Sequence, residues 1–132
     1  MSEFWDNRRR VIREYCEQTG KYAPDAYEFV TTGVIEQVEA LDTPRHLSAL
    51  EVLQNLRSRL DAEFGLLMPA VLDRWQIRTA SDIGEIVFDL IKMNILSASA
   101  DDKRSDFDVD FNLQTTEKTV RKSLSVEVPK ID

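Results

Sequence analysis

One long apolar stretch, residues 75–96, most constrains how this chain can fold. It reads WQIRTASDIGEIVFDLIKMNIL, and its large apolar residues recur at helical spacing over more than one face. A helix apolar over that width must be covered by other elements, so we predict a central core helix, most buried over residues 83–91. Thr79 or Ser81 can cap its start. Gly84 indicates a place where another backbone packs close to this helix.

Composition and charge narrow the class of protein. With 132 residues, 42% hydrophobic and 31% charged, the chain has the size and balance of one soluble globular domain. No apolar run reaches the roughly 18–20 residues that span a bilayer, and the first residues lack the apolar segment of a secretory signal. We therefore expect a cytoplasmic protein with no membrane association. The net charge of −7 disfavours non-specific binding to nucleic acid, which needs clustered Lys and Arg.

The first predicted helix spans residues 3–19 and ends at Gly20, which suits a left-handed helix end. An arginine run lies largely on the side opposite its apolar face: Arg8, Arg9, Arg10 and Arg13. The default interpretation of this run is a face exposed to water, and the alternative is contact with an anion or with RNA. Neighbouring acidic residues nearly neutralise the segment, which weighs against the alternative.

Two more helices have clear start and stop signals. Pro24 opens the second, because its missing N–H needs no partner in a first turn, and the residue before Pro44 closes it. Ser48 and Glu51 have the spacing of a capping box, in which each side chain accepts from a backbone N–H of the other. The third helix therefore begins at residue 48, and Gly65 ends it.

A short helix starting near Pro69 leads into the central helix and brings the expected number to about five. Residues 45–47 and 95–97 each adjoin a long helix, and we predict that they pair as two very short strands. The predicted fold is a compact, mainly α domain with a minimal two-stranded β element. A weak alternation at residues 124–128 would add a hairpin, which makes the fold loosely winged-helix-like.

Residues 105–111 alternate acidic and apolar side chains. In an extended chain this period would place Phe107, Val109 and Phe111 on one face and the aspartates on the other. We predict that the segment is extended and docks Phe107 and Phe111 onto the helices, with the carboxylates in water. The chain then divides into a helical domain, residues 1–111 with the docked segment 101–111, and a polar tail, residues 112–132.

Three blocks of sequence occur in an order shared with known proteins. They are YAPDAYEFV (22–30), RHLSALEVL (45–53) and DRWQIRTASDIGEIVFDLI (73–91). The blocks are similar to the patterns Y-x-P-x-A-Y-x-F-V, R-H-[VL]-S-x-x-E and W-x-I-R…D-[FI]-G-x-I-V-F, and together they resemble a small bacterial family of unknown function, the Minf-type conserved family. The resemblance covers roughly residues 10–111 and does not extend to the tail. It supports the element boundaries and implies no catalytic residue.

Few residues could carry chemistry. His46, the only histidine, precedes the third helix, where a structural hydrogen bond is the default interpretation and a base or anion contact is the alternative. Glu85 and Asp89 lie one helical turn apart and indicate a solvated face, with a bound metal or shared proton as the alternative. Ser48 is better explained by capping than by nucleophilic attack. With Cys16 as the single cysteine and no phosphate or dinucleotide motif, we predict no cofactor, no metal and no catalysis.

Aromatic residues supply the candidates for a partner-binding surface. Trp75 and Arg78 flank the entry to the central helix, where a core tryptophan and a surface arginine are the default and a recognition pocket is the alternative. Phe107 and Phe111 either dock internally or bind a partner. We favour a non-catalytic protein–protein interaction module, an adaptor. A nucleic-acid-binding regulator with a winged-helix-like fold is the alternative, which the acidic central helix disfavours, and a small hydrolase stands third.

Overall fold

Four long helices and one short helix form the described part of the chain. The computed structural model describes residues 2–97, 104–109, 111 and 113. The helices are α1 (Ser2–Thr19), α2 (Pro24–Glu39), α3 (Ala49–Phe64), α4 (Met68–Trp75) and α5 (Ala80–Lys92), with 3₁₀ turns at Gly65–Leu67 and Arg104–Phe107. Since α4 has only 8 residues, four long helices rather than about five carry the mainly helical fold. None of the described helices combines the length and apolarity needed to cross a bilayer.

Short-range signals set several helix ends where the sequence placed them, although α2 ends at Glu39 and not at the residue before Pro44. The backbone N–H of Glu51 donates to Ser48 Oγ (3.1 Å), and the N–H of Ser48 donates to Glu51 Oε1 (2.8 Å), so the predicted capping box is confirmed. Pro24 occupies the first turn of α2. Gly65 ends α3 with a φ of 52°, a conformation that glycine adopts without steric cost.

The core is built around α5. Ile86 and Leu90 are both 0% exposed, in agreement with the predicted central helix. One side of α5 packs against α2, and another lies under the Arg104–Phe107 turn. A Cβ added to Gly84 would lie 2.6 Å from Phe107 Cβ, so this glycine does mark a close approach. The neighbour is a phenylalanine side chain, however, and not the backbone that we predicted.

The predicted two-stranded element does not occur in the described residues. Residues 45–47 have no regular structure, and residues 95 and 96 form a bend. The N–H groups of Ile95 and Leu96 both donate to the carbonyl of Leu90, at 2.9 and 3.2 Å. The prediction was wrong because the end of α5 uses the donors that a strand pair would have needed. The winged-helix-like description loses its support with these strands, and the hairpin expected at residues 124–128 lies outside the described residues.

The segment after Arg104 docks but is not extended as predicted. Arg104–Phe107 form a 3₁₀ turn, and the N–H of Asp108 donates to the carbonyl of Ser105 (2.9 Å). Phe107 is 5% exposed, whereas Val109 is 47% exposed. The turn therefore breaks the period of two, and Phe107 and Val109 do not share a face. The division of the chain at residue 111 stays a prediction.

Candidate functional site

A polar network lies where α1 and α2 meet α5. Asp89 is only 8% exposed, and it accepts hydrogen bonds from Tyr15 Oη on Oδ1 (2.7 Å) and from Tyr27 Oη on Oδ2 (2.7 Å). The two tyrosine rings meet edge to face, with centroids 6.0 Å apart. The solvated face predicted for Asp89 is therefore wrong. A buried carboxylate needs partners, and the two hydroxyls supply them.

A second aspartate, Asp82, anchors the start of α5. Its Oδ1 accepts from Tyr22 Oη (2.6 Å), and its Oδ2 accepts from the backbone N–H groups of Arg78 (2.7 Å) and Thr79 (3.0 Å). Burial opposes ionisation of Asp82, but the hydrogen bonds outweigh it, so the pKa of this carboxyl is lowered. The same carboxylate thus satisfies two free N–H groups of the helix start and fixes the tyrosine that precedes α2.

The network holds its hydroxyl and thiol groups in their protonated forms. Burial, followed by the hydrogen bonds to aspartate, raises the pKa of Tyr22 and of Tyr27. Burial and a neighbouring carboxylate raise the pKa of Cys16 to about 11. Glu85 forms an ion pair with Lys21. Within the described ranges, no three His, Cys, Asp or Glu side chains are placed to hold a metal ion. The arrangement is suited to a structural role, in which hydrogen bonds hold α1 and α2 against α5.

The arginine run of α1 is not a uniform solvated face. Arg8 is 5% exposed, and burial lowers its pKa. Arg9, Arg10 and Arg13 are exposed, and Arg9 Nε lies 3.5 Å from Glu28 Oε1. The default interpretation is therefore wrong for Arg8, whose side chain belongs to the packing between helices.

An apolar groove opens between α2, the start of α3 and the C-terminal half of α5. Its volume is about 410 Å³. Its walls include six aliphatic side chains that the helices leave partly uncovered: Val34, Val38, Leu47, Val87, Ile91 and Leu96. Val38 is 41% exposed. Concave apolar surface of this kind, left open at the side of a packed core, is typical of a binding site.

Charged and polar side chains form the rim of the groove: Glu39, Arg45, His46 and Asp106. Arg45 donates to both carboxylate oxygens of Glu51, from Nη1 at 3.0 Å and from Nη2 at 2.8 Å. The Arg45 hydrogen bond, followed by that from the Ser48 backbone, lowers the pKa of Glu51 to about 2. Glu51 balances the charge of Arg45, and Glu39 adds an acidic side chain to the rim beside this ion pair. His46 is exposed at this rim and is not part of the core.

Trp75 and Arg78 lie outside the groove. Trp75 is 8% exposed and packs against Phe29 and Phe64, with ring centroids 5.4 and 5.7 Å away. Arg78 is exposed, and its backbone N–H serves the start of α5. The structure therefore places the tryptophan in the core and does not join the pair into one pocket.

The two C-terminal phenylalanines differ in position. Phe107 lines the groove and is buried against Gly84 of α5. Phe111 is half-buried, with the Arg57 guanidinium carbon 4.7 Å from its ring centroid. This geometry favours a cation–π contact. Only Phe107 is therefore brought together with His46 at the groove.

Sequence reasoning missed both the tyrosines and the groove. Three tyrosines stand within residues 15–27, and three acids, Asp82, Glu85 and Asp89, follow one another along one side of α5. The clustering of hydroxyl donors in one stretch and of carboxylates on one side of α5 was the signal that could have indicated the network, although Glu85 pairs with Lys21 and not with a tyrosine. The groove had no such signal, because its walls come from segments far apart in the chain.

No family model matches the chain, and no curated protein or solved structure shows significant similarity to it. The resemblance drawn from the three sequence blocks therefore stays a prediction.

Proposed function

We propose that this protein is a non-catalytic interaction module that binds a short segment of a partner protein in the groove between α2, α3 and α5. The observation that carries this proposal is the groove itself, with partly exposed aliphatic walls and the acidic side chain of Glu39 at its rim. Its preferred ligand is a segment with apolar side chains along one face and Lys or Arg beside them. The apolar face supplies affinity, and the basic residues supply orientation.

The size of the groove favours weak, reversible binding. Each large apolar side chain buried by the ligand contributes about 1.5–3 kcal/mol. Ordering the ligand costs about 1–2 kcal/mol per residue of backbone. Two or three anchors contribute about 3–9 kcal/mol before this cost, so the surplus corresponds to a dissociation constant of roughly tens of micromolar or weaker.

A displayed library of short peptides tests this proposal. Selection on the full chain should enrich peptides that combine apolar anchors with basic flanks. Val38→Glu places a charge on an apolar wall, and it should weaken the selected peptides at least about tenfold. Leu66→Glu is the matched control, because Leu66 is 79% exposed and does not line the groove. This control should leave the affinity unchanged.

Equal loss of affinity in Val38→Glu and Leu66→Glu would contradict the proposal, as would a selection that enriches no common pattern. A salt-dependent DNA-binding assay addresses the nucleic-acid alternative. That alternative requires affinity that falls steeply as salt increases, because released counterions drive such binding. The apolar walls of the groove and the acidic Glu39 at its rim favour the protein ligand instead.

A further inference from the structure

One segment of this same chain has the chemistry that the groove favours. Residues 124–128 read LSVEV, and Lys118, Arg121 and Lys122 precede them. We infer that residues 124–128 occupy the groove of their own chain and compete there with the partner segment. This inference rests on the proposed function, because it takes the groove to be a site for apolar segments.

The chain is long enough to return to the groove. Phe107 lines the groove, and Leu113, the last described residue, is buried. Leu113 lies 6 positions after Phe107 in the chain, so the two residues are no more than about 22 Å apart, whatever the conformation between them. The 11 residues from Leu113 to Leu124 can extend over about 36–40 Å, which exceeds that distance. Leu124 can therefore reach the groove from the end of the described chain.

The side-chain pattern of this segment fits an apolar wall. In an extended chain, side chains two residues apart point to the same side. Leu124, Val126 and Val128 would then face the groove together, while Ser125 and Glu127 face water. These three side chains would bury apolar wall residues that are now partly exposed, such as Val38, which is 41% exposed.

The charges also match. Glu39 and Asp106 lie at the groove rim, and Arg45 is already paired there with Glu51. The basic residues at positions 118–122 would therefore meet the acidic side chain of Glu39 at a rim whose arginine is already paired. This complementarity orients the segment and disfavours a more acidic competitor.

Occupancy by the tail would regulate the site by competition. A ligand that needs an empty groove binds only to chains in which the groove is open. Its apparent affinity is therefore its intrinsic affinity multiplied by the fraction of open chains. A short linker gives the tail an effective concentration of about millimolar, so even a weakly binding tail occupies much of the groove. Removing this competition should strengthen peptide binding by about 2- to 10-fold.

A spin label on the full chain tests the inference directly. Ser125→Cys places a nitroxide on the side of the segment that faces away from the groove, and Cys16 is buried and does not compete for the reagent. Labelled, isotope-enriched protein is diluted into unlabelled protein of natural isotope abundance, so that only effects within one chain are seen. Broadening is expected for the methyl groups of Val38 and Ile91 but not for Leu66.

Two charged variants supply the control for binding. Leu124→Asp with Val126→Asp should abolish the broadening and produce the increase in peptide affinity. Ser123→Asp with Ser125→Asp adds the same charge to the opposite side, and in the unlabelled protein it should leave the affinity unchanged.

Groove resonances that stay sharp would overturn the inference and leave the proposed function standing if library peptides still bind. Broadening that arises only between chains would also overturn it, because the occupant would then be a second copy. Equal gains in affinity from both pairs of substitutions would likewise contradict docking through the apolar side. Failure of the Leu124→Asp, Val126→Asp chain to bind any library peptide would instead refute the proposed function.

Discussion

Replacing Gly84 with alanine tests how the Arg104–Phe107 turn is held on α5. The added methyl carbon would lie 2.6 Å from Phe107 Cβ and 2.9 Å from its Cγ. Carbon atoms in contact prefer a separation of about 3.5–4.0 Å, so Phe107 must move by about 1 Å. Because Cβ is fixed to the backbone, rotation of the ring cannot relieve this contact and the whole turn must shift.

Two opposing terms set the size of the effect. Alanine is favoured over glycine by about 1 kcal/mol in a helix interior. Overpacking a filled site costs about 1–3 kcal/mol. We therefore expect Gly84→Ala to destabilise the full chain by about 0.5–2 kcal/mol. In a chain truncated after Arg104 the clash is gone, so the same substitution should stabilise by up to about 1 kcal/mol.

Urea unfolding of four proteins measures this change of sign: the full and truncated chains, each with and without Gly84→Ala. In a separate thermal unfolding experiment, truncation alone should lower the melting temperature, because it removes the buried Phe107 and Leu113. A Gly84→Ala effect of the same sign and size in both backgrounds would refute the packing of Phe107 on α5. An unchanged melting temperature after truncation would refute the docking itself.

Three further predictions concern the polar groups. Tyr27→Phe should lower the free energy of unfolding by about 1.5–3 kcal/mol, since Tyr27 is 0% exposed and water cannot replace its hydrogen bond to Asp89. Tyr15 is half-buried, so Tyr15→Phe should lower the free energy of unfolding by less in the same urea titration. The Cys16 thiol, with a pKa of about 11, should react with a thiol reagent about two orders of magnitude more slowly than in urea-unfolded protein. The pKa of Glu51 is lowered to about 2, so its stabilising effect is present above its unfolded pKa of about 4.3 and is lost as the pH falls towards 2. Glu51→Gln should therefore be less stable than wild type at neutral pH and equal to it near pH 2.

Much of the fold could be predicted because its signals are local. The capping box of Ser48 and Glu51 needs only four consecutive residues, and the structure forms both of its hydrogen bonds. The burial of Ile86 and Leu90 follows from the apolar periodicity of one helix. Neither feature depends on which distant element packs nearby.

The errors arose where a distant partner or a competing local bond decides the outcome. Asp89 looks like a surface residue in its helix, but its tyrosine partners stand 74 and 62 residues earlier in the chain. The strand pairing failed because the carbonyl of Leu90 takes the N–H groups of Ile95 and Leu96. The groove combines four separate segments, so no single stretch of sequence could indicate it.

Mapping a library-selected peptide onto the methyl resonances of the full chain is the most direct test of the proposed binding site. If the peptide binds in the groove, we expect chemical-shift changes for the methyl groups of Val34, Val87, Ile91 and Leu96. We also expect contacts between these methyl groups and the apolar side chains of the peptide. The exposed side chain of Leu66, which lies outside the groove, serves as the internal reference and should not shift. Shifts confined to Leu66, or spread evenly over the surface with none in the groove, would contradict the assignment of this groove as the binding site.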